Sequence, residues 1–218
     1  MIASTITVTV ALSGFVTGIA IGILICWAKL SPHSAIRLVA DVYTTALRGI
    51  PELLVIYLLF FGGSAFVSQI AHLFSVEGFV SVPVFLSGMT ALGLISGAYI
   101  AEVLRSAWKA VDLGQVEAGR AFGMSRVLLF RRVIAPIVLR YALPAMGNLW
   151  QLTLKESALI SIVGLSELMR QATVASTATE KPFLFYGAAS AFYLIITGFS
   201  SVIFSNAEKW SRRFVRRQ

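Results

Sequence analysis

Two adjacent charged residues, Lys155 and Glu156, lie deep inside the apolar stretch 141–163. Ionisable groups at such a depth in a membrane are costly unless they face the interior of a helix bundle or a water-filled path, so they indicate a binding function. Neighbouring residues point about 100° apart on a helix, so these two are not expected to pair with each other. Glu156 suits the cationic group of a ligand. Lys155 suits either a ligand carboxylate or a tie between two helices, and a purely structural role stays open for both.

A second unusual segment, residues 111–148, is polar and basic where its surroundings are apolar. Residues 115–122 can form about two helical turns, Gly123 can adopt a positive φ at the end of that helix, and Ser125 can cap a second helix. We expect Pro136 to limit the second helix. The pattern predicts a helix, a corner and another helix outside the lipid, either in a groove of a partner protein or on anionic headgroups. Four arginines would serve the lipid alternative: Arg120, Arg126, Arg131 and Arg132.

The composition places both features in an integral membrane protein. Of the 218 residues, 57% are hydrophobic and 13% are charged, and the mean hydropathy is +0.83; soluble domains carry about a quarter charged residues. We predict an all-α, polytopic protein that forms a single domain over residues 1–218. The length leaves room for five or six spans of about 20 residues. We expect five, at about 6–28, 43–62, 82–103, 141–163 and 182–204.

The formal charge of +8 could suggest a nucleic-acid ligand, but the placement of the cations argues against one. Of the 18 Lys and Arg residues, three lie in 29–48, seven in 105–140 and five in 209–217, whereas the connector 63–81 has none. Basic residues in alternate connectors follow the positive-inside pattern. We therefore predict that the N-terminus is outside, that the C-terminus is cytoplasmic, and that the first span is not cleaved.

Other residues suggest helix packing or ion pairs. Gly14, Gly18 and Gly22 form a flat stripe that lets another helix approach closely, either in the same subunit or in a neighbouring one. Arg48 and Glu52 lie four residues apart and can form a salt bridge across a helical turn, or else contact a ligand. Glu102, at the end of the third predicted span, can pair with Arg105 or with the basic segment.

Several motifs resemble one transporter family. Glu117, Ala118, Gly123 and Pro136 match the EAA loop of ABC importer permeases, whereas Gly119 and Ala135 depart from it. The segments RGIPELL, GAYIAEVLR and LKES, which begin at residues 48, 97 and 154, also resemble permease segments in the same order. The chain is therefore similar to the membrane subunits of polar amino acid ABC importers, within the group for histidine, other basic amino acids and opines.

This resemblance implies a MetI-like, type I importer permease fold in a bacterial inner membrane. It implies that residues 111–136 form a cytoplasmic coupling loop. It further implies partners: two copies of an ATPase, a second permease subunit that is either a copy or a paralogue, a periplasmic or lipid-tethered substrate-binding protein, and an amino acid or opine substrate. The coupling residues would be Glu117, Ala118, Gly119, Arg120, Gly123, Ser125 and Pro136. The substrate path would contain Arg48, Glu52, Lys155, Glu156 and Ser157.

Two rival functions are weaker. The sequence has no G-x-x-x-x-G-K-S/T phosphate loop, so energy from ATP would come from a partner. A homodimeric secondary transporter or channel would often show an inverted repeat, and none is visible. An intramembrane enzyme would need a motif such as H-E-x-x-H or G-x-S-x-G, and neither occurs. We predict no enzymatic activity, cofactor or metal, and the single Cys26 permits no intrachain disulfide.

Overall fold

A computed structural model describes residues 2–73, 78 and 80–212, without the side chain of residue 212. This part of the chain is helical and contains no β-strand, as predicted. Two π-helical turns join α3 to α4 and α7 to α8, and a 3₁₀ segment, Ser157–Val163, follows α8. The helices are α1 (Ile2–Lys29), α2 (Ser34–Gly49), α3 (Glu52–Tyr57), α4 (Gly63–Leu73), α5 (Val84–Lys109), α6 (Leu113–Ala121), α7 (Arg126–Leu129), α8 (Ala135–Glu156), α9 (Leu168–Thr179) and α10 (Pro182–Arg212).

Four helical stretches in the described residues are long and apolar enough to cross a membrane: α1, α3 with α4, α5 and α10. Helix α8, where the sequence predicts another span, is not among them. It carries Arg140 near its start and Lys155 and Glu156 at its end, which lower its apolar character. The described residues thus have several apolar helices, and α8 is the most polar of the predicted spans.

Several predicted boundaries are wrong. Residues 43–49 belong to α2, and the second apolar helix begins only at Glu52 because Ile50 and Pro51 are extended. That helix continues to Leu73, so the predicted connector 63–81 is helical over its first half. Residues 74–77 and 79 lie outside the described residues. Helices α5 and α10 extend past their predicted ends because polar residues need not end a helix that leaves the membrane.

The glycine stripe packs α1 against α5 within this chain, which decides between its two predicted roles. A Cβ at Gly14 would lie 2.6 Å from Leu92 Cβ, and one at Gly22 would lie 2.6 Å from Ile100 Cγ2. A Cβ at Gly18, between them, would overlap the Ser96 side chain. Because both sets of residue numbers increase along the contact, α1 and α5 run parallel. Small residues here let the two backbones approach closely.

An aromatic cluster joins three of the long helices at the level of this contact. Phe15 of α1 packs edge-on against Trp150 of α8, with ring centroids 5.5 Å apart, and against Phe204 of α10 at 6.5 Å. Such edge-to-face pairs add to the stabilisation from burial itself. The cluster therefore ties α8 into the bundle although α8 is less apolar than its neighbours.

A charged cluster joins α1, α2 and α5 near the end of α1, and we call it the Glu102 cluster. Lys29 Nζ donates to Asp41 Oδ1 at 2.7 Å and also pairs with Glu102. Arg105 Nε donates to the other Glu102 oxygen at 2.8 Å, and Thr44 donates to the carboxylate at 3.4 Å. The predicted pairing of Glu102 with Arg105 is confirmed, whereas no sequence pattern indicated the Lys29 contact across helices.

Candidate functional site: an exposed elbow and a buried carboxylate

Residues 111–136, which we call the elbow, have the predicted helix–corner–helix shape at their centre. Helix α6 is capped by Asp112, whose side chain accepts a hydrogen bond from Gly114 N at 2.9 Å. Gly123 has φ +74°, a left-handed conformation that favours glycine, and makes the corner. Ser125 then caps α7 by accepting from Leu128 N at 3.4 Å. The Gly123 corner and the Ser125 cap are confirmed, and Asp112 is an additional cap that the sequence analysis missed.

Gly119, which departs from the EAA pattern, has a packing role. It is buried under the second half of the elbow, and a Cβ there would lie 2.5 Å from Leu129 Cδ1. A longer residue would push α7 away from α6 unless Leu129 moved. Glycine at this position therefore permits a closer contact between the two halves of the elbow.

Pro136 does not end the second helix, so this part of the prediction is wrong. The chain is helical from α7 through a π-helical turn, Phe130–Ile134, and into α8, where Pro136 occupies the first turn. Proline is tolerated at a helix start, and the wider π turn before it accommodates the missing N–H. The elbow thus continues directly into α8 without a break in the helical backbone.

The outer surface of the elbow is exposed and combines apolar and cationic side chains. Phe122 is 85% exposed and Leu113 is 74% exposed. Glu117 is also exposed and has no hydrogen bond or ion pair with the described residues. An exposed carboxylate beside exposed apolar groups is available to a partner. The other predicted coupling residues Ala118, Arg120, Ser125 and Pro136 are exposed as well.

The second candidate region centres on Glu156, the last residue of α8. This side chain is 7% exposed, and its Oε1 atom has no hydrogen-bond partner among the described residues. A buried carboxylate without a partner is costly, so this oxygen is free to accept hydrogen bonds from a ligand. The next residue, Ser157, is fully buried and donates to Leu154 O at 2.7 Å, where the helix tightens into its 3₁₀ segment.

Three of the five predicted substrate-path residues lie around one tyrosine. The carboxylates of Glu52 and Glu156 are within electrostatic range of each other and of Tyr99. The Arg48 guanidinium lies over the Tyr99 ring, 5.4 Å from its centroid. Two carboxylates and one guanidinium thus share a small region between α2, α3, α5 and α8. Tyr99 was noted only as part of a resemblance, because nothing in its own type or spacing signals that it is the shared neighbour.

The predicted Arg48–Glu52 salt bridge is absent from the described residues. The chain is extended at Ile50 and Pro51, so Arg48 ends one helix and Glu52 begins another, and the four-residue helical spacing does not apply. Helix α2 is instead held on α5 by Tyr43, whose hydroxyl donates to Leu94 O at 2.7 Å. Burial raises the pKa of Tyr43 to about 12, so it remains a protonated donor.

Lys155 and Ser157 flank Glu156 but face different surroundings. Lys155 is exposed on the outside of this single chain, away from the buried Glu156 carboxylate. The Ser157 side chain is fully buried and lies near Tyr193 of α10. Tyr193 donates to the fully buried carboxylate of Glu167 at 3.2 Å. Ser157 therefore lies between the Glu156 region and the start of α9.

Glu167 is a buried hydrogen-bonding residue that the sequence analysis did not single out. Its Oε1 accepts from Arg170 N at 2.8 Å and caps α9, and its Oε2 lies 3.2 Å from Thr7 Oγ1. Leu168 N donates to the same Thr7 hydroxyl at 3.1 Å. These bonds join α1, α9 and α10. Glutamate is an unusual N-cap, which explains why helix-cap preferences gave no signal here.

Comparison with known proteins identifies the family to which this chain belongs. Residues 14–217 match the family model described as binding-protein-dependent transport system inner membrane component. The chain is 53% identical over 215 residues to an octopine transport system permease protein of Rhizobium radiobacter, covering 99% of this chain and 91% of the relative. It is 46% identical to a nopaline transport system permease protein of Agrobacterium fabrum, with coverage of 97% and 90%. A histidine/lysine/arginine/ornithine transport system permease protein of Escherichia coli is 36% identical, with coverage of 90% and 86%.

Solved structures support the same assignment. A crystal structure of an amino acid ABC transporter with histidines contains a chain with 33% sequence identity and a TM-score of 0.79, covering 95% of this chain and 91% of that one. An inward-facing MetNI methionine ABC transporter gives a TM-score of 0.71 at 16% identity, with coverage of 95% and 91%. The second match concerns the fold alone.

Proposed function

Because the chain belongs to the family of binding-protein-dependent transport system inner membrane components, we propose that its Glu156 region forms the translocation path for a basic amino acid or an opine. Members of this family are permease components of bacterial inner-membrane ABC importers, and they work with a separate ATPase subunit and a substrate-binding partner. The relatives' names add octopine, nopaline and arginine to the candidate substrates.

The main support for this substrate assignment is the buried carboxylate of Glu156, whose Oε1 has no hydrogen-bond partner among the described residues. Guanidinium and ammonium groups are cationic donors and would satisfy Oε1, with Glu52 providing a second negative charge close by. Arg48, positioned over Tyr99, would hold a carboxylate of the same ligand. Lys155 would serve either a second ligand carboxylate, as opines carry, or the neighbouring subunit, and Ser157 would set the position of Glu156.

The elbow would receive movement from the ATPase. Glu117, Ala118 and Arg120 would contact the partner through the exposed face of α6, while Gly119, Gly123, Ser125 and Pro136 would hold the elbow's shape. When ATP closes the ATPase pair, α7 would move and would carry α8 and Glu156 with it, because the helix is continuous. The central path would then switch between inward-facing and outward-facing states.

The complete assembly would contain two ATPase copies, a second permease subunit and a periplasmic or lipid-tethered binding protein. The whole chain, 1–218, would form one permease domain, with residues 111–136 as its coupling loop. Helix α8 would be an additional span, the fourth of five in chain order, because its polar side chains would face the path or the second subunit. The elbow would be cytoplasmic, and α9 would lie on the outer face, where the binding protein delivers substrate.

The Glu156→Gln variant tests the substrate assignment in proteoliposomes that contain the complete importer. We expect uptake of arginine or octopine to fall by about tenfold or more, since a charge-assisted hydrogen bond is lost. Uptake of a neutral amino acid, where measurable, should change little. Lys155→Gln removes the neighbouring exposed charge and should spare arginine uptake even where it reduces octopine uptake, because arginine has no second carboxylate. Equal losses for cationic and neutral substrates in Glu156→Gln would contradict the role of its charge.

A further inference from the structure

A cavity of about 660 Å³ lies between the elbow and the end of α10. It is formed by the π-helical turn and first turn of α8 on one side and by the last turn of α10 on the other, with Gln115 of α6 at its edge. Residues from both ends of the elbow therefore meet the final helix here. The remaining lining residues are Arg131, Arg132, Val133, Ala135, Pro136, Ile137, Leu139, Trp210 and Ser211.

The lining has the chemistry of an amphiphilic anion site. Arg131 and Arg132, which are adjacent in the sequence, both line the cavity, and among the described residues no carboxylate lines it. A guanidinium binds phosphate oxygens through paired N–H donors, so two of them suit one phosphodiester. Most of the other lining side chains are aliphatic, and Leu139 is 47% exposed. A small inorganic anion would leave these apolar walls in contact with water.

The position of the cavity matches the height of lipid headgroups. It lies where the basic elbow continues into α8 and where α10 ends in a basic segment, so the positive-inside pattern places it at the cytoplasmic boundary. Trp210 fits this boundary, because tryptophan side chains concentrate at membrane interfaces. Basic pockets between membrane helices on the cytoplasmic side suit anionic lipid headgroups.

We propose that this cavity binds one anionic phospholipid of the inner leaflet. Arg131 and Arg132 hold the phosphodiester, Trp210 contacts the glycerol region, and an acyl chain follows Ile137 and Leu139 along α8. The bound lipid contacts both the elbow and α10, two segments that are far apart in the sequence. Of the four elbow arginines, only Arg131 and Arg132 line this cavity, whereas Arg120 and Arg126 lie on the elbow outside it.

Native mass spectrometry of the purified importer tests this proposal with dioctanoyl phosphatidylglycerol as the probe and dioctanoyl phosphatidylcholine as the neutral comparison. We expect phosphatidylglycerol to bind at least about tenfold more tightly, because only it carries net negative charge. The Arg131→Gln/Arg132→Gln variant should lose this preference. The Arg120→Gln/Arg126→Gln variant removes the same charge from the same elbow and should retain it.

Three outcomes would overturn the proposal. Equal binding of the two lipids would remove the headgroup assignment, and equal effects of the two double variants would show only general attraction to a basic elbow. Competition by millimolar inorganic phosphate alone would show an anion site without an acyl-chain groove. If the Arg131→Gln/Arg132→Gln complex does not assemble, Leu139→Trp, which fills the apolar wall and keeps both arginines, must reduce phosphatidylglycerol binding. Lipid binding is measured directly, so its failure would leave the transport function untouched.

Discussion

Lys29 should stabilise the bundle far more than Arg105, although both pair with Glu102. The Lys29 side chain is 4% exposed and joins α1 to carboxylates on α2 and α5, whereas Arg105 is 30% exposed and pairs within its own helix. Lys29→Met keeps most of the aliphatic volume and removes only the cross-helix charge. Arg105→Met is the matched control, because it removes a cation from the same carboxylate.

The magnitude follows from the contacts that each variant loses. Breaking a fully buried pair costs about 3–5 kcal/mol. Here the cost is smaller, because Glu102 keeps Arg105 and the Asp41 side chain is 61% exposed, so Lys29→Met loses essentially one strong charge-assisted bond of about 2 kcal/mol. The within-helix pair that Arg105→Met removes is worth only about 0.3–0.5 kcal/mol.

Thermal unfolding of the purified subunit in detergent measures this difference. For a chain of this size, about 2 kcal/mol lowers the unfolding midpoint by about 4–8 °C, and Arg105→Met should lower it by about 1–2 °C. Equal shifts for Lys29→Met and Arg105→Met, or no shift for either, would refute the view that this cluster joins the three helices.

Three further changes test separate parts of the structure. Gly18→Val should reduce the folded yield, since its Cβ would overlap the Ser96 side chain and overpacking costs about 1–3 kcal/mol. The control Gly198→Val has no atom within 4 Å of its Cβ and should keep the folded yield unchanged. Size-exclusion profiles of the two variants measure the difference. Glu167→Ala should loosen the start of α9 by about 1–2 kcal/mol, seen as faster amide exchange, and unchanged exchange would contradict the cap. Gly123→Val should leave a folded subunit with ATP hydrolysis uncoupled from uptake, because φ +74° is strained for a β-branched residue but tolerated by the control Gly123→Asn; normal uptake by both would disprove the role of the corner.

Features set by local chemistry could be predicted from the sequence. The Gly123 corner and the Ser125 cap depend on the residue's own conformational freedom and on one nearby backbone N–H, so they were recognised correctly. The glycine stripe likewise predicted a close helix contact. Its partner helix could not be identified, because the spacing of glycines in α1 contains no information about Leu92 or Ile100.

Features that depend on distant residues were missed or misread. The Arg48–Glu52 pair was expected from helical spacing, but Pro51 interrupts the helix between them. Pro136 was expected to end a helix, yet a π-helical turn accommodates it. Lys29 was recognised only as part of the charge pattern because its partner Glu102 lies 73 residues later. The pattern of a single sequence predicts features within one helix. Contacts between residues of different helices become visible only in the folded bundle.

The charge of Glu156 was noticed because an acidic residue in an apolar stretch is conspicuous. Its burial, its unpartnered oxygen and its proximity to Glu52 required the structure. Tyr99 and Tyr193 could not be selected in advance, since tyrosines are frequent in membrane helices and their roles here follow only from their neighbours. The substrate region is therefore predictable by its central charge and not by its surroundings.

The central claim is that the elbow transmits movement from the ATPase subunit, and site-specific cross-linking tests it most directly. Cys26 is the only cysteine, so Phe122→Cys in a Cys26→Ser background places one thiol on the most exposed apolar side chain of the elbow. In inside-out vesicles of the complete importer, we predict a cross-link from this thiol to the ATPase whose yield changes when ATP binds. Labelling of the same thiol by a membrane-impermeant maleimide in right-side-out vesicles, with no cross-link to the ATPase in inside-out ones, would contradict the account.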